Sequence, residues 1–388
     1  MSGETEAGLR TGDSPKNPFI EVWRGIAVML VVYYHYTGRL DPSALGVQVG
    51  ATVPFHSGGV GVLVFFVISA YLITQSLSFS RSLGSFYAKR LSRIWPLFIV
   101  AAVTVFAITQ VFPAPSVTDG PNTFNRHPVG IGDLFGTLLF LYDLGFDWVD
   151  GAYWSILVEL KFYIIVGVFA ALWPGRFAAR FATFAFVLSF LELAVAFLQP
   201  PHARMIVGGL NRLLIADHLP YFAIGVLLYV RDRGPLLTLN ILLATIQAAE
   251  VISADGRFEM ASTLLFLLGF AGVLAIDAVL LRNRVFLFLG KYSYALYLFH
   301  QVLGLTIIAA LAPRIGVDAA ALAAFLIVLA FAVAGSRVAE WRFRDAFYRG
   351  LQVVFARLRL DEVRVNERAA SEHPPKGSLV QEDPAPVA

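Results

Sequence analysis

The chain contains no cysteine, which excludes disulfides, a cysteine thioester relay and any thiolate metal site. Charge is scarce too: Asp, Glu, Lys and Arg make up 15% of 388 residues, where a soluble domain carries about 25%. Hydrophobic residues reach 57% and mean hydropathy is +0.70, so the chain reads as an integral membrane protein. The seven histidines are scattered without ligand spacing, and no metal is expected. No internal repeat stands out, which disfavours an inverted-repeat transporter. A net charge of +3 is a weak pointer to nucleic acid, and the placement of the cations argues against that partner.

Ten apolar spans follow from hydropathy: 19–37, 58–78, 91–112, 153–173, 178–198, 213–230, 235–252, 260–281, 290–312 and 318–338. Each approaches the length needed for a hydrocarbon core of roughly 30 Å. The expected fold is all-α, a polytopic protein with about 10 transmembrane helices, because a helix satisfies its own backbone in lipid. The cations set its orientation. With the N-terminus inside, the inner segments hold Arg10, Lys16, Arg81, Lys89, Arg90, Arg93, Arg176, Arg180, Arg231, Arg233, Arg282, Arg284 and Lys291. The outer loops keep only Arg39, Arg126, Arg204, Arg212, Arg257 and Arg314. The positive-inside rule then predicts an N-in/C-in multi-pass protein of the cytoplasmic (inner) membrane, in contact with membrane lipids.

Three regions follow: a cytoplasmic tail over 1–18, a membrane domain over 19–340, and a C-terminal region over 341–388. The first span is long enough to serve as an uncleaved anchor. The stretch 134–141 inside the long outer segment is too short to span, and is expected to lie at the interface or re-enter. Past Glu340 the basic residues Arg342, Arg344, Arg349, Arg357 and Arg359 alternate with apolar ones, as in a helix lying on a membrane surface. From about residue 369 a Ser, Glu, Lys and Pro composition predicts disorder.

Ionisable residues inside apolar spans are costly and point to function. Arg24 and His35 are eleven residues apart in the first span. Eleven steps of 100° complete three turns plus about 20°, so both share one face, roughly 16 Å apart along the axis. Glu159 lies about 9 Å inside the outer end of the fourth span, a depth comparable with that of His35. Arg90 and Arg93 open the third span on the Arg24 side. Lys161 falls on the face opposite Glu159, and Ser69 is expected to make a helix-packing hydrogen bond.

Five patterns occur in order: Arg24 with His35; Phe65-Phe66-Val67-Ile68-Ser69-Ala70-Tyr71-Leu72; Tyr87-Ala88-Lys89-Arg90-Leu91-Ser92-Arg93-Ile94-Trp95-Pro96; Trp154-Ser155-Ile156-Leu157-Val158-Glu159-Leu160-Lys161-Phe162-Tyr163; and Leu289-Gly290-Lys291-Tyr292-Ser293-Tyr294-Ala295-Leu296-Tyr297-Leu298-Phe299-His300. Together they resemble the acyltransferase-3 family of membrane-bound O-acyltransferases, over residues from about 19 to 340. The resemblance implies a ten-helix core that moves an acyl group from cytoplasmic acyl-CoA, with acetyl-CoA the expected donor, to a sugar hydroxyl. Arg24 and His35 match the family's arginine–histidine pair, with the histidine essential. Ala70 departs from the pattern, since the family has glycine there.

The resulting expectation is a membrane O-acyltransferase that modifies a cell-surface or exported carbohydrate, such as a lipid-linked glycan precursor. His35 is the expected general base on the acceptor hydroxyl and Glu159 its orienting carboxylate. An acyl-histidine intermediate is the rival mechanism. Arg24, Arg90 and Arg93 are expected to bind the acyl-CoA phosphates, and Trp154, Tyr163 and His300 to line the substrate site. The alternatives are a macrolide or other small glycosylated metabolite as acceptor, a proton-coupled transporter, and an acyl-donor sensor without turnover.

Overall fold

Long apolar runs with helix-forming residues have one low-energy conformation in lipid, and the computed structural model of the chain follows it. The structure describes residues 18–39, 47, 59–112, 129–254 and 283–365. Among them the regular elements are helices, apart from one isolated bridge between Ser82 and Arg364. In chain order they are α1 (Pro18–Thr37), α2 (Gly59–Ser78), α3 (Leu83–Val111), α4 (Ile131–Leu138), α5 (Trp154–Leu172), α6 (Phe177–Leu198) and α7 (Ala203–Leu214). There follow α8 (Leu219–Val230), α9 (Pro235–Ala254), α10 (Arg284–Lys291), α11 (Ser293–Phe299), α12 (Gln301–Ile315), α13 (Val317–Arg342) and α14 (Arg344–Arg357).

Among the described residues six stretches are long and apolar enough to cross a membrane: Gly59–Ser78, Leu83–Val111, Gly151–Leu172, Phe177–Leu198, Ala203–Val230 and Val317–Ala339. The bent pair α11–α12 makes a seventh if it counts as one span. The predicted spans 19–37 and 235–252 are helical as α1 and α9 but are not among the six. The predicted span 260–281 and the tail from about 369 lie outside the described residues.

Two predicted spans are interrupted. The stretch 213–230 becomes the end of α7, a turn at Ile215–His218, and α8, with Ile215 in the left-handed region at φ 50°. The stretch 290–312 falls in three helices, with a 57° bend between α11 and α12 at His300. A helix break inside a membrane protein persists only where other groups take up the freed backbone. They do so here. The Tyr153 hydroxyl donates to Leu298 O at 3.1 Å, and the Tyr36 hydroxyl donates to His300 O at 3.0 Å. Asp150 Oδ2 accepts the Val302 N–H at 2.9 Å.

The 131–150 segment folds back along α3. Gln110 donates to Val129 O and Trp95 donates to Leu138 O. These contacts lie fifteen residues apart on α3, about 22 Å along its axis. The segment therefore dips along α3, with Phe140 stacked on Phe98, before climbing back to Asp150. At its foot Asp143 meets Lys161 at 2.6 Å, so Lys161 is held by the loop, on the side away from Glu159.

Close helix contacts set the remaining positions. At Gly225, a Cβ would run into Val67 O and Ala70 Cβ, so α8 presses its glycine onto α2. The alanine that departs from the family pattern is thus accommodated by a glycine on the neighbouring helix. Gly290 stands likewise against the Glu21 carbonyl, where α10 crosses α1 beside Arg24. The basic segment after residue 343 is a helix, and one face of it is packed. It packs along α3, with Phe355 against Tyr87 and Phe347 against Trp95. A half-buried stripe at Arg344, Phe347, Tyr348, Leu351 and Phe355 repeats at helical spacing, which is why that face docks. Beyond it, Leu360 and Val363 accept backbone N–H groups of Gly84 and Leu83, and Asp361 accepts the Ser82 hydroxyl.

Candidate functional site

One cavity, about 820 Å³ including its open mouth, gathers most of the residues singled out in the sequence. Arg24 from α1, Ser69 from α2, Arg90 and Arg93 from α3, Glu159 and Tyr163 from α5, and Tyr294 and Tyr297 from α11 all line it. Helical phase explains the convergence: Arg90 and Arg93 are three residues apart, and so project from one side of α3. Glu159 and Tyr163 stand four apart on α5, and the Tyr163 hydroxyl donates to Glu159 Oε1 at 2.6 Å. The same oxygen accepts a short hydrogen bond from Ser69 Oγ. The cross-helix hydrogen bond expected of Ser69 is therefore made to a carboxylate.

Arg24 bonds Glu21 one turn earlier, at 3.3 Å, and Arg90 Nη2 donates to Leu72 O at 2.8 Å. Arg90 Nε is buried without a protein partner. Three guanidinium groups against two carboxylates, Glu21 and Glu159, leave a surplus of positive charge at a largely apolar cavity. Such a place attracts an anion, and above all phosphate, whose geometry suits the guanidinium fork.

His35 is not part of this lining. It is buried near the far end of α1, and its ring stands edge-on to His300 at 4.8 Å between centroids. His35 Nδ1 lies 2.8 Å from Val31 O and 3.3 Å from His300 Nε2. His300 Nδ1 in turn lies 2.6 Å from Tyr297 O. A carbonyl oxygen can only accept, so each Nδ1 carries a hydrogen. In the neutral rings, His300 Nε2 is then the acceptor for His35 Nδ1–H, and His35 Nε2 holds a lone pair. That lone pair is the position on the His35 ring left to accept a proton.

Glu159 does not orient His35: its hydrogen-bond partners are Ser69 and Tyr163, at the Arg24 end of the site. The expected similarity of depth fails for a geometric reason. The turn Gly151–Tyr153 that leads into α5 is already level with the break at His300, through Asp150–Val302 and Tyr153–Leu298. Five further residues carry Glu159 about 7 Å deeper along α5. His300, expected among the substrate-binding residues, is fully buried with both ring nitrogens facing protein atoms. Trp154 lies outside the cavity lining, packed on Phe66 and on the ring of His218 at 5.5 Å. Tyr297 connects the two halves: it lines the cavity, and its ring lies 5.4 Å from that of His300.

Asp150 is the residue that sequence reasoning missed. Its carboxyl is completely buried, accepting from Ala152 N and Val302 N at 2.9 Å each. Burial pushes its pKa up to about 7, against the downward pull of the two N–H groups. An Asp immediately before a helical turn is an N-cap signature, and that was the available signal. The second bond, to Val302, is not readable locally. Among the described residues no group of three His, Asp or Glu side chains is placed to hold a metal.

The model of a family described as acyltransferase domain, the acyltransferase-3 family, matches residues 17–341. A Staphylococcus aureus (strain COL) protein provisionally named an O-acetyltransferase is 25% identical over 324 residues, 73% of this chain and 50% of the relative. A Shigella phage Sf6 protein named O-acetyl transferase is 26% identical over 156 residues, 37% of this chain and 43% of the relative. A protein of Acidianus two-tailed virus, provisionally named an acetyltransferase, is 25% identical over 200 residues, 48% of this chain and 53% of the relative. The chain spans about half the length of the curated relatives it matches. No solved structure matches the chain.

Proposed function

The chain belongs to the acyltransferase-3 family, and from that premise we propose that it is a membrane O-acetyltransferase using acetyl-CoA to modify a hydroxyl of an exported or lipid-linked carbohydrate. The observation that carries this reading is the division of the site into two ends. A cationic cavity built on Arg24, Arg90 and Arg93 lies at one end, and His35 lies three helical turns away on the same face of α1. The phosphates of the coenzyme dock on the guanidinium groups. Its pantetheine arm covers the roughly 16 Å of helix between Arg24 and His35.

In the transfer, the acceptor oxygen attacks the thioester carbonyl while its proton passes to His35 Nε2. The tetrahedral intermediate collapses with loss of the C–S bond. The departing thiolate takes the proton back from the imidazolium and leaves as CoA. Glu159 holds Ser69 and Tyr163 in place beneath the thioester and balances part of the arginine charge. The proposed topology has the N-terminus, Arg90 and Arg93 at the cytoplasmic face of an inner membrane, where acyl-CoA is found.

The test uses the purified full chain in lipid nanodiscs, with acetyl-CoA as donor and octyl glucoside as a hydroxyl acceptor. Released CoA thiol is read directly, because the chain has no cysteine to react with the reagent. His35→Gln is expected to abolish thiol release, and Arg24→Ala to raise the acetyl-CoA KM. An unchanged KM in Arg24→Ala would remove the docking half of the reading, and full turnover in His35→Gln the chemical half. Proton-coupled uptake without thioester consumption would assign the chain to transport instead.

A further inference from the structure

We propose that His300 is a positioning residue for His35, a role that rests on His35 acting as the base. The geometry is that of a hydrogen-bonded histidine pair rather than a histidine–carboxylate pair. His35 Nδ1–H points between Val31 O at 2.8 Å and His300 Nε2 at 3.3 Å. His300 Nδ1–H is committed to Tyr297 O, so His300 keeps the one tautomer that leaves Nε2 able to accept. When the acceptor hydroxyl gives its proton to His35 Nε2, the imidazolium Nδ1–H becomes a charge-assisted donor. Its second acceptor is already in place, at fixed distance and without reorganisation. Val31 moves with α1 itself, so among the described residues His300 is the hydrogen-bond partner that ties the His35 ring to another part of the fold.

The protein invests several groups in holding His300. The residue sits at the 57° break between α11 and α12. Its carbonyl is taken by the Tyr36 hydroxyl from α1, and the neighbouring Leu298 carbonyl by the Tyr153 hydroxyl. Asp150 caps the start of α12 through Val302 N. Three elements therefore fix one backbone position, and with it one ring. A straight helix would place the imidazole on a different azimuth.

His300 neither binds substrate nor relays protons, since its Nδ1–H ends on a main-chain carbonyl. The titratable or charged groups around the pair are Arg39 and Tyr36 beside α1, Asp150 and Tyr153 before α5, and Tyr297 on α11.

The test pairs spectroscopy of the resting protein with kinetics of two variants. In full-length protein carrying ¹⁵N-histidine, in bilayers, the N–H···N bond is expected to give a ¹⁵N–¹⁵N correlation between His35 Nδ1 and His300 Nε2. His300→Leu should lower kcat for CoA thiol release on the order of 10²-fold with the acetyl-CoA KM unchanged, the size of effect an acid–base group commands. His300→Gln, whose amide oxygen replaces the Nε2 lone pair, should recover activity to within about tenfold of wild type. The proposal is overturned if the correlation is absent from the wild-type protein, if His300→Leu keeps wild-type kcat, or if Gln and Leu lower it equally. Full activity in His35→Gln would strike the base itself from the reaction, even with the correlation present, so the two failures read differently.

Discussion

Ser69 and Glu159 are ninety residues apart in the chain, yet they share a short hydrogen bond that ties α2 to α5 inside the cavity. The same carboxylate oxygen also accepts from Tyr163. Two donors on one acceptor form a unit, so their energies are expected to be coupled. In a double-mutant cycle with Ser69→Ala and Tyr163→Phe, the thermal destabilisation of the double variant should differ from the sum by about 0.5–3 kcal/mol. Glu159→Ala should destabilise more than either single change, because it leaves both hydroxyls unpaired. Additive losses would show that the three groups act separately.

Asp150 makes stability depend on pH with a predictable sign. Its folded-state pKa is raised to about 7 by burial, above the ordinary carboxylate value. Folding therefore favours the protonated form. The contribution is fully present below the unfolded pKa and is lost as pH rises through about 7. The unfolding temperature in detergent should decline from the ordinary carboxylate pKa, near 4, up to about pH 7 and level off above it, and Asp150→Asn should flatten that decline. A slope unchanged in Asp150→Asn would place the titrating group elsewhere.

Gly225 has no room for a side chain. Its Cβ would meet Val67 O, Tyr71 N and Ala70 Cβ, and two of these are backbone atoms that cannot yield. Gly225→Ala is expected to destabilise by about 1–3 kcal/mol through forced separation of α2 and α8. Gly208→Ala on α7, which meets nothing within 4 Å, is the matched control. It should be neutral or mildly stabilising, since alanine is the better helix former. Thermal precipitation in one detergent compares the two directly.

The C-terminal helix supports the cationic end of the site from behind. Phe355 of the helix meets Tyr87, and Leu360 and Val363 just beyond it meet Gly84 and Leu83, all within a few residues of Arg90 and Arg93. Removing Phe347 and Phe355 together (both to Ser) should raise the acetyl-CoA KM more than it lowers kcat, because α3 is loosened while His35 and His300 are untouched. An equal fall in both parameters would mean that the damage extends through the whole bundle.

Arg24 and His35 show what a single sequence makes legible. Both lie on one unbroken helix, so spacing alone gives their shared face, and the structure has both on α1. Arg90 and Arg93 were readable for the same reason. Glu159 was misplaced in depth because that inference assumed α5 starts at the membrane surface. The 131–150 segment delivers the chain to Trp154 already level with the His300 break, and no local pattern encodes that level. The break itself has no proline or glycine at His300 to announce it. Its stabilising partners, Tyr36, Tyr153 and Asp150, come from distant parts of the chain.

Apolar length, cation asymmetry and helical phase are properties of neighbouring residues, and they alone determined that this chain forms membrane helices carrying an arginine–histidine face. Which imidazole meets which, and which carboxylate stays with the arginines, was decided only by packing. Those contacts depend on where helices start, bend and cross, through close approaches such as Gly225 on Val67 and hydrogen bonds between residues far apart in the sequence.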